Sequence, residues 1–590
     1  MRFALLLVAS AVLLPVPAQE PSSVPLGASV EATFTDLRWQ TRRLGDLGPA
    51  PATVLYFASL ECPIVQRQLP RLGALAQDLA PAGVAVLVVN VGPGDGLVEA
   101  AGQVTSAAPA AVFAKDFDLA LARACGVDRT GTAVVLDAAH RIVYRGRVDD
   151  QHGYTGARAE PSRHDLRSAV DDVVAGRPVV VPATEVSGCR ITAPPTAADG
   201  PVPTFAGAVA AILQRHCQEC HRPGGEAPFP LLTQAQANRH AAMIAEVVEQ
   251  GRMPPWYGTA VGGPFANHRG LSAEERAAVV RWARGGMPGG DPATSPPPRP
   301  LPTSEWRIGE PDLVVELKAP VRLPADGIVP YKYFVLPHRF DQDTWVEAIE
   351  IRPSNERALH HCNLARVKFG EDFSQDGFVT GYVPGGDPLD LDPGSAVRIP
   401  AGSALALQAH YVTTGEPTTD RLRVGFRFPR VPVQREMQVT IVANQRFEIP
   451  PGARAHPVRA SRKLPDDAEG IGMFVHMHVR GRDMSVTATL PSGDEQRLLV
   501  VPNYNFDWQQ SYRWPRGERS FPRGTRFTAL AHFDNSPWNP FNPDPAQAVR
   551  FGLQTEDEMM YLFVFWLPQR QALGLEVDPR TGHAVPTAPR

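Results

Sequence analysis

Two cysteines followed directly by a histidine form one chemical motif of this sequence. Cys217, Cys220 and His221 stand at the spacing Cys-x-x-Cys-His. Two thiols at this spacing can form thioether bonds to both vinyl groups of a haem, and the adjacent histidine then lies under the iron as an axial ligand. The motif predicts one covalently bound haem c. A disulfide or a zinc site at an accidental Cys-x-x-Cys is the alternative.

The second axial ligand of the haem iron should come from a later loop. Met253 precedes Pro254 and Pro255, and proline disfavours helix at the residue before it, so this methionine is expected in an extended segment. A thioether ligand would raise the reduction potential of the haem. We therefore predict that Met253 binds the iron opposite His221.

Histidines in the C-terminal half predict further metal sites. His360 and His361 are adjacent in a strand-like context, and His410 lies at the end of another predicted strand. Neighbours in a strand point to opposite faces, so an adjacent pair can share a metal only through a bend or through Nδ1 of one ring. His476 and His478 point to the same face and suit a shared metal directly. Imidazoles favour copper or zinc, and an added thioether favours copper.

These segments resemble the copper type II ascorbate-dependent monooxygenases, the family of peptidylglycine hydroxylating and dopamine β-monooxygenases. The similarity covers about Leu313 to Pro568, and the family's motifs match in chain order at His360-His361, Leu407 to Tyr411, His476 to Gly481 and Glu558-Met559. The resemblance implies an electron-transfer copper held by His360, His361 and His410, and an oxygen-binding copper held by His476, His478 and Met559. Met560 is the alternative to Met559.

The resemblance also implies an activity. A protein with these two copper ions would hydroxylate a C–H bond of a small-molecule substrate with dioxygen. In the peptide-amidating branch an arginine, an asparagine and a tyrosine hold the substrate carboxylate, and here Phe474, Tyr561 and Phe563 occupy those positions. A carboxylate would have no cationic partner, so we expect an uncharged substrate. A copper-binding or electron-transfer protein without enzymatic activity is a second interpretation.

Each turnover of such a pair of coppers needs two single electrons. Phe205 to Gly289, which contains the haem motif, resembles a class I cytochrome c domain. We therefore expect a one-electron donor, either the fused haem or an ascorbate-like reductant or redox protein.

A candidate redox thiol lies near the N-terminus. Pro25 to Ile191 resembles the redoxin branch of the thioredoxin superfamily, and Cys62 stands at a predicted helix start, where the helix dipole can lower a thiol pKa. Val65 replaces the second cysteine of a dithiol motif. Thr130-Gly131-Thr132 stands where a proline normally precedes the next strand.

Three roles therefore stay open for this part of the chain. Cys62 could be catalytic, which would make the protein a thiol peroxidase or redoxin with accessory haem and copper domains. Cys62 or Cys125 could instead form a structural disulfide with Cys189. The domain could also serve only for docking.

Composition and the N-terminus restrict the location and the partners. The formal net charge of −4 argues against nucleic acid and anionic membrane surfaces as partners. Met1 to Ala18 has the pattern of a secretory signal peptide, with cleavage near Ala18 and an apolar run too short to span a bilayer. We expect a periplasmic or secreted protein with no membrane span. Six cysteines are too few for a disulfide scaffold.

Periodicity predicts the elements that position these residues. Strands at Val54–Ala58, Val84–Val91, Thr132–Leu136 and Arg141–Arg147 alternate with helices, as in an α/β domain with a mainly parallel sheet. Helices are expected before Cys217, over Ala235–Glu249 and after Ser272, where Glu275 completes a capping box. Short strands after Trp306 indicate antiparallel sheets.

The predicted architecture has several domains, because 590 residues exceed the usual size of one. An α/β thioredoxin-like domain is followed by an all-α cytochrome c domain and by two antiparallel, jelly-roll-like β-sandwiches. The predicted bounds are a signal peptide at 1–18, the redoxin domain at 25–191, the cytochrome c domain at 203–290, a Pro-rich linker at 291–305, the two sandwiches at 306–432 and 433–570, and a tail at 571–590.

Overall fold

The computed structural model describes residues 24–153, 156–192, 201–300, 304–367 and 377–585. The predicted signal peptide, Met1 to Ala18, lies outside the described residues. Contacts between Cα atoms divide the described chain into two compact units. The first contains residues 24–36, 41–92 and 111–192, and the second contains residues 37–40, 93–110 and those from 201 onward. No helix within the described ranges is long and apolar enough to cross a membrane.

The first unit is built on one sheet of seven strands. In spatial order they are β2 (Thr41–Arg43), β1 (Thr33–Thr35), β5 (Val112–Lys115), β4 (Ala85–Asn90), β3 (Ala52–Ala58), β6 (Ala133–Asp137) and β7 (Ile142–Gly146). The helices of this unit are α1 (Pro63–Leu79), α3 (Ala120–Ala124) and α4 (Asp165–Val174), and a short ladder joins β8 (His152–Gly153) to β9 (Gly156–Ala157). Helix α2 (Leu97–Ala107) lies between β4 and β5 along the chain but belongs to the second unit.

The sheet of the first unit is mixed, so the prediction of a mainly parallel sheet is wrong. Only β3 with β4 and β4 with β5 run parallel among the described pairings of this sheet. Strands β6 and β7 are antiparallel because a tight turn joins them, whereas a parallel pair needs a long crossover. All seven residues of β3 are buried, which explains its continuous apolar run.

Four helices surround the Cys-x-x-Cys-His motif: α5 (Ala210–His216), α6 (Gln234–Arg239), α7 (Ala241–Glu249) and α8 (Ala273–Arg284). The predicted capping box is present, because Ser272 Oγ accepts the N–H of Glu275 at 3.2 Å and the Glu275 carboxylate accepts the N–H of Ser272 at 3.0 Å. The single helix expected over Ala235–Glu249 is wrong, since the chain breaks at His240, whose ring stacks on Phe229 with centroids 3.8 Å apart.

The rest of the second unit is rich in β-structure, and we call its first half the first β-region. One sheet contains β10 (Leu313–Glu316), β21 (Arg423–Arg427), β14 (Ala348–Arg352) and β17 (Leu389–Asp390); a second contains β12 (Lys332–Phe340), β19 (Ser403–Tyr411), β15 (Leu359–Val367) and β16 (Phe378–Tyr382). Smaller ladders join β11 (Val321–Leu323) to β20 (Thr418–Asp420), and β13 (Thr344–Val346) to β18 (Ser395–Ile399) and β22 (Arg435–Glu436). Apolar side chains of both large sheets share one core.

The second β-region repeats this plan. One sheet contains β23 (Gln438–Ala443), β33 (Tyr561–Pro568), β26 (Ala468–His476) and β29 (Ser511–Arg513), with β30 (Ser520–Phe521) beside β26; another contains β25 (His456–Lys463), β31 (Arg526–Phe533), β27 (Gly481–Thr489) and β28 (Glu495–Val501); β24 (Glu448–Ile449) pairs with β32 (Val549–Arg550). Its core also takes up Trp256, Tyr257 and Phe265 from the loop after Met253. The predicted domain boundaries stay predictions.

Candidate functional site

Cys62 lies in the turn between β3 and α1, where it is the N-cap residue of the helix. Its Sγ is 3.1 Å from the Sγ of Cys189, which follows 127 residues later. Cys62 is buried, whereas Cys189 is exposed. Cys125, the other partner considered for Cys189, is buried in the core. The structure therefore brings Cys62, and not Cys125, to Cys189.

Pairing between two loops holds Cys189 against Cys62. The N–H of Thr130 donates to the Cys189 carbonyl at 2.9 Å, and the N–H of Cys189 donates to the Thr130 hydroxyl at 3.2 Å. The approach is so close that a Cβ at Gly188 would lie 1.7 Å from the Thr130 carbonyl oxygen. Proline at position 130 would have no N–H to donate. The departure from the usual proline thus helps to position the second cysteine.

Hydrogen bonds favour the thiolate of Cys62. Burial raises its pKa, but the side chain of Thr130, the backbone of Val65 and the thiol of Cys189 lower it further, so the pKa lies below the ordinary value. The pKa of Cys189 is raised, chiefly because it donates to Cys62. Burial raises the pKa of Cys125 to about 12. Of the two sulfur atoms, Cys62 is therefore the one that more readily becomes a thiolate.

His360 and His361 meet His410 where two neighbouring strands end. In the ladder of β15 with β19, His361 lies opposite His410, and the register shifts between Leu359 and His361. His360 is thus the extra residue of a β-bulge. The bulge supplies the bend that an adjacent pair of ligands requires.

The three imidazoles point their Nδ1 atoms at one another. His360 Nδ1 lies 3.0 Å from His361 Nδ1 and 3.2 Å from His410 Nδ1, and one ligand atom from each ring lies within 4.8 Å of the others. Their Nε2 atoms face outward to Asp507 at 3.0 Å from His360, to the Tyr331 hydroxyl at 2.9 Å from His361, and to the Thr555 hydroxyl at 3.3 Å from His410. When each Nε2–H donates outward, three lone pairs face one another, so the group fits a cation.

Burial keeps the imidazoles of His361, His410 and His476 neutral, which is the form that binds metal. Burial and the neighbouring rings lower the pKa of His361, and burial with the nearby His360 lowers the pKa of His410 to about 3. Burial lowers the pKa of His476 to about 4. At neutral pH these rings therefore carry free lone pairs.

His476 ends strand β26, and the ring of His478 lies 5.2 Å from it between centroids. His476 Nδ1 is 2.7 Å from Gln509 Oε1, and His478 Nδ1 is 3.1 Å from the Asp557 carbonyl oxygen. Both rings donate through Nδ1 and leave Nε2 with a lone pair. His478 Nε2 is buried and has no hydrogen-bond partner among the described residues. A buried acceptor without a partner costs free energy, so this pair also fits a metal.

Glu558 ties the turn after His476 to the segment before β33. Its carboxylate accepts the N–H groups of His478 at 2.9 Å, Arg480 at 2.6 Å and Met559 at 3.2 Å. Burial raises its pKa to about 8 although these hydrogen bonds lower it. The carboxyl group therefore fixes the backbone on both sides of the predicted oxygen-binding site.

Met559 and Met560 have different neighbours. Met560 is packed in the main core of the second β-region. Met559 lies outside that core, in a small cluster with Phe378, Tyr561 and Phe563. Because the side chain of Met560 is packed in that core, Met559 stays the predicted thioether ligand.

One loop contacts both groups of histidines. The rings of His361 and His476 lie 6.2 Å apart, and Gln509 reaches both, with its Nε2 3.5 Å from His361 Nδ1. The ring of Phe506 lies 5.0 Å from that of His360. Sequence analysis missed this loop, because Phe506, Asp507 and Gln509 form no metal-binding motif. No pattern in the sequence singles out Gln509, which the structure shows to be buried.

The residues of the Cys-x-x-Cys-His motif fit the attachment of a haem. His221 Nδ1 lies 3.0 Å from the Phe229 carbonyl oxygen, which leaves Nε2 as the free ring nitrogen. Burial lowers the pKa of His221, so the ring is neutral. Cys217 and Cys220 carry free thiols. Met253 lies in a non-helical loop and lines a cavity of about 30 Å³; its pairing with His221 stays a prediction.

Comparison with known families matches one part of the chain. The Redoxin family matches residues 31–161. These residues form a redoxin domain. Its fold is thioredoxin-like, and it contains Cys62, whereas Cys189 lies beyond the matched residues. The redoxin match indicates an oxidoreductase, and the rest of the described chain is the large β-rich region with its preceding helices.

Solved structures are also similar to part of the chain. A hypothetical protein from Sinorhizobium meliloti 1021 is 29% identical over 29% of this chain and 94% of its own, with a TM-score of 0.26. An uncharacterized conserved protein from Geobacillus kaustophilus is 27% identical over 31% of this chain and 100% of its own, with a TM-score of 0.27. A thioredoxin-like protein from Aeropyrum pernix is 13% identical over 20% of this chain and 83% of its own, with a TM-score of 0.19. No curated protein matches the chain.

Proposed function

We propose that this protein is an exported thiol–disulfide oxidoreductase whose reacting pair is Cys62 and Cys189. The observation that carries the proposal is the 3.1 Å approach of the two sulfur atoms, with the lower pKa on the buried one. The redoxin match over residues 31–161 supports the same class of chemistry. An oxidising compartment outside the cytoplasm would allow the pair to cycle through a disulfide.

The reaction follows from the positions of the two sulfur atoms. The Cys62 thiolate attacks a disulfide of the substrate, forms a mixed disulfide and releases one substrate thiolate. Cys189, held in place by Thr130, loses its proton and attacks the Cys62 sulfur, which closes the Cys62–Cys189 disulfide and releases the second substrate thiolate. Two electrons pass from the cysteines to the substrate, and an external dithiol must then reduce the pair.

The test is a labelling experiment on the full-length reduced protein with 5,5′-dithiobis(2-nitrobenzoic acid). In the wild type we expect the label on Cys62 to be lost as the pair closes, whereas Cys189→Ser should retain a mixed disulfide at Cys62. Peptide mass mapping identifies the labelled cysteine. Cys125→Ser is the matched control, because its buried thiol does not contact the pair. The proposal is contradicted if the wild type keeps the label on Cys62 while Cys189 stays unreacted. If Cys62 reacts faster with hydrogen peroxide than with this disulfide, the protein is a peroxidase.

We propose as a second function that the histidine groups bind two copper ions and oxidise a small substrate. This function is favoured by the three histidines that each place one ligand atom within 4.8 Å of the others, and by the buried His478 Nε2, which has no hydrogen-bond partner among the described residues. His360, His361 and His410 would hold one ion, and His476, His478 and Met559 the other, on two β-sandwiches of the monooxygenase type. Bound copper would store single electrons and activate dioxygen, and a haem c on Cys217, Cys220 and His221 would supply electrons.

In this second function the chain's own residues have separate tasks. Asp507, Tyr331 and Thr555 orient the first three rings from outside. Gln509 and the Asp557 carbonyl set the tautomers of His476 and His478, and the Glu558 carboxyl holds the backbone between them. Metal analysis with a pyridine haemochrome spectrum tests the cofactors, and we expect two coppers and one haem for each chain. If the protein is expressed with copper and haem supplied and retains neither, this proposal is contradicted.

A further inference from the structure

The loop of residues 505–510 reaches the histidine groups through two of its side chains. Asp507 Oδ1 lies 3.0 Å from His360 Nε2, and Gln509 Oε1 lies 2.7 Å from His476 Nδ1. The residue between Asp507 and Gln509 is a tryptophan. This tryptophan is therefore one peptide bond away from two residues that contact predicted copper ligands.

Trp508 approaches the Cys-x-x-Cys-His segment from the other side of the loop. A Cβ built on Gly385 would lie 3.4 Å from Cζ3 of the Trp508 ring and 3.6 Å from Glu226 Oε2. The same carboxylate oxygen lies 3.9 Å from the Sγ of Cys220, the sulfur that a haem would use for attachment. A series of close approaches, from Cys220 to Glu226 to Gly385, therefore leads to the indole ring.

Ion pairs hold the Cys-x-x-Cys-His segment in this place. Glu219, which stands between the two cysteines, accepts from Arg307 at 2.7 Å, and Arg307 also lies 2.9 Å from Asp387. Arg269 lies 2.7 Å from Asp387 and donates to the Gly385 carbonyl oxygen. Because these groups are partly buried, salt screens them less than exposed pairs. The ion pairs therefore fix the motif beside Gly385, which contacts the tryptophan.

The same loop contacts the segment that follows Met253, the predicted second ligand of the haem iron. The N–H of Tyr257 donates to Gln510 Oε1 at 3.3 Å, and the Gln510 amide donates to the Pro255 carbonyl oxygen. Tyr257 is buried in the core of the second β-region. The loop therefore lies against both segments that would hold the haem, as well as against both histidine groups.

We propose that the loop of residues 505–510 is the path for electrons from the haem to the copper of the His360, His361 and His410 group, with the Trp508 ring on its haem side. Electron transfer through protein slows steeply as the gap widens, and the indole ring shortens the gap without itself being oxidised. In the step, haem Fe(II) loses one electron and becomes Fe(III), and copper(II) gains it and becomes copper(I). No bond forms or breaks, and an external one-electron donor reduces the haem again. The inference rests on the second proposed function, because it needs both cofactors.

Flash photolysis tests the inference on the full-length protein loaded with haem and copper(II), without dioxygen or substrate. A flash with a deazaflavin donor reduces the haem, and its absorbance follows the return to Fe(III); copper-free protein gives the baseline. We expect Trp508→Leu to slow this return by about ten-fold, equivalent to about 1.4 kcal/mol of activation free energy. Trp508→Phe keeps a ring and should restore most of the rate.

Trp538→Leu is the matched control. Both tryptophans are half-buried, but Trp538 packs against Arg454, which lies 4.9 Å from its ring centroid. Its loss should leave the rate of haem oxidation unchanged. Haem content, copper content and the reduction potential of the haem are measured for each variant, because a structural defect would change them and the loss of an electron path would not.

Three results would overturn the inference. The first is a Trp508→Leu variant with both cofactors and the wild-type potential whose haem is oxidised at the wild-type rate. The second is a wild type that holds both cofactors but whose copper(II) does not oxidise the haem, a result that leaves copper binding itself intact. The third is a wild type that lacks the haem or the copper, which contradicts that part of the second proposed function as well.

Discussion

The chain assembles the thiol pair and the histidine groups in different ways. Cys62 and Cys189 are brought together by one backbone ladder between two loops of the first unit. The histidines come from the ends of strands in both β-regions and share one loop, Phe506 to Gln509. A thiol pair exchanges two electrons at once, whereas copper exchanges them singly. We therefore expect that mutations can disable the two proposed redox sites independently.

The mutation with the largest expected effect should disable the histidine site and leave the thiol pair intact. His361→Ala removes a central ligand of the His360, His361 and His410 group, and we expect copper affinity of that site to fall by about 100-fold or more. Competition with a copper(I) chelator measures the affinity. His338→Ala, on strand β12 and outside the group, is the control. Thiol exchange at Cys62 should be unchanged, and a parallel loss of exchange would show that the sites are not independent.

Gly188→Ala should disable the thiol pair without touching either cysteine. The new Cβ would lie 1.7 Å from the Thr130 carbonyl oxygen, so the loop with Cys189 must move away. We expect closure of the Cys62–Cys189 disulfide to slow by about ten-fold and unfolding free energy to fall by about 1–3 kcal/mol. Stopped-flow thiol release and chemical denaturation measure the two effects. Gly45→Ala, with open space around the added Cβ, is the matched control; an equal change in both variants would contradict the role of the close approach.

Asp507→Asn should weaken the first copper site less than loss of a ligand. The carboxylate lies 3.0 Å from His360 Nε2 and orients the ring from outside. Removal of such a partner typically lowers metal affinity by about ten-fold or more. The same chelator competition measures it, with the exposed Asp466→Asn as control. Unchanged affinity in Asp507→Asn would mean that the ring is positioned by the bulge alone.

Thr130→Val should cause the smallest change, a shift in the pH dependence of Cys62. The Thr130 side chain lowers the pKa of Cys62 by hydrogen bonding, so its removal should raise that pKa. The midpoint of iodoacetamide alkylation against pH should therefore move upward, and alkylation at neutral pH should slow. Thr41→Val, exposed on β2, should leave the midpoint unchanged. An unchanged midpoint would assign the lowered pKa to the other hydrogen bonds of Cys62, from the Val65 backbone and from Cys189.

Local motifs could be predicted from the sequence, and distant contacts could not. The capping box at Ser272 follows from a spacing of a few residues, and so does the division of the chain into helical and strand regions. The partner of Cys62 lies 127 residues away and depends on the pairing of two loops. The parallel sheet was wrongly expected, because alternation of strands and helices does not reveal that β6 and β7 form a hairpin.

The candidate metal sites show the same contrast between local motifs, which could be predicted, and distant contacts, which could not. The histidines carry recognisable spacings, so all of them could be named from the sequence. Their outer partners could not be predicted, since these residues lie in loops, far along the chain from the histidines that they contact: Tyr331, Asp507, Gln509 and Thr555. The sequence indicated that Phe474 offers no partner to a carboxylate. A cavity that Phe474 lines could not be predicted, because residues of both β-regions form its walls.

The bulge at His360 shows how histidines at two different spacings can each turn their rings to a common face. His360 and His361 are neighbours in one strand, so they converge only because one extra residue is accommodated, whereas His476 ends β26 and His478 lies two residues on, just beyond the strand. An insertion between His360 and His361 would restore the regular alternation, whereas a deletion between His476 and His478 would demand a new bulge. The two sites should therefore tolerate opposite changes in chain length during evolution or engineering.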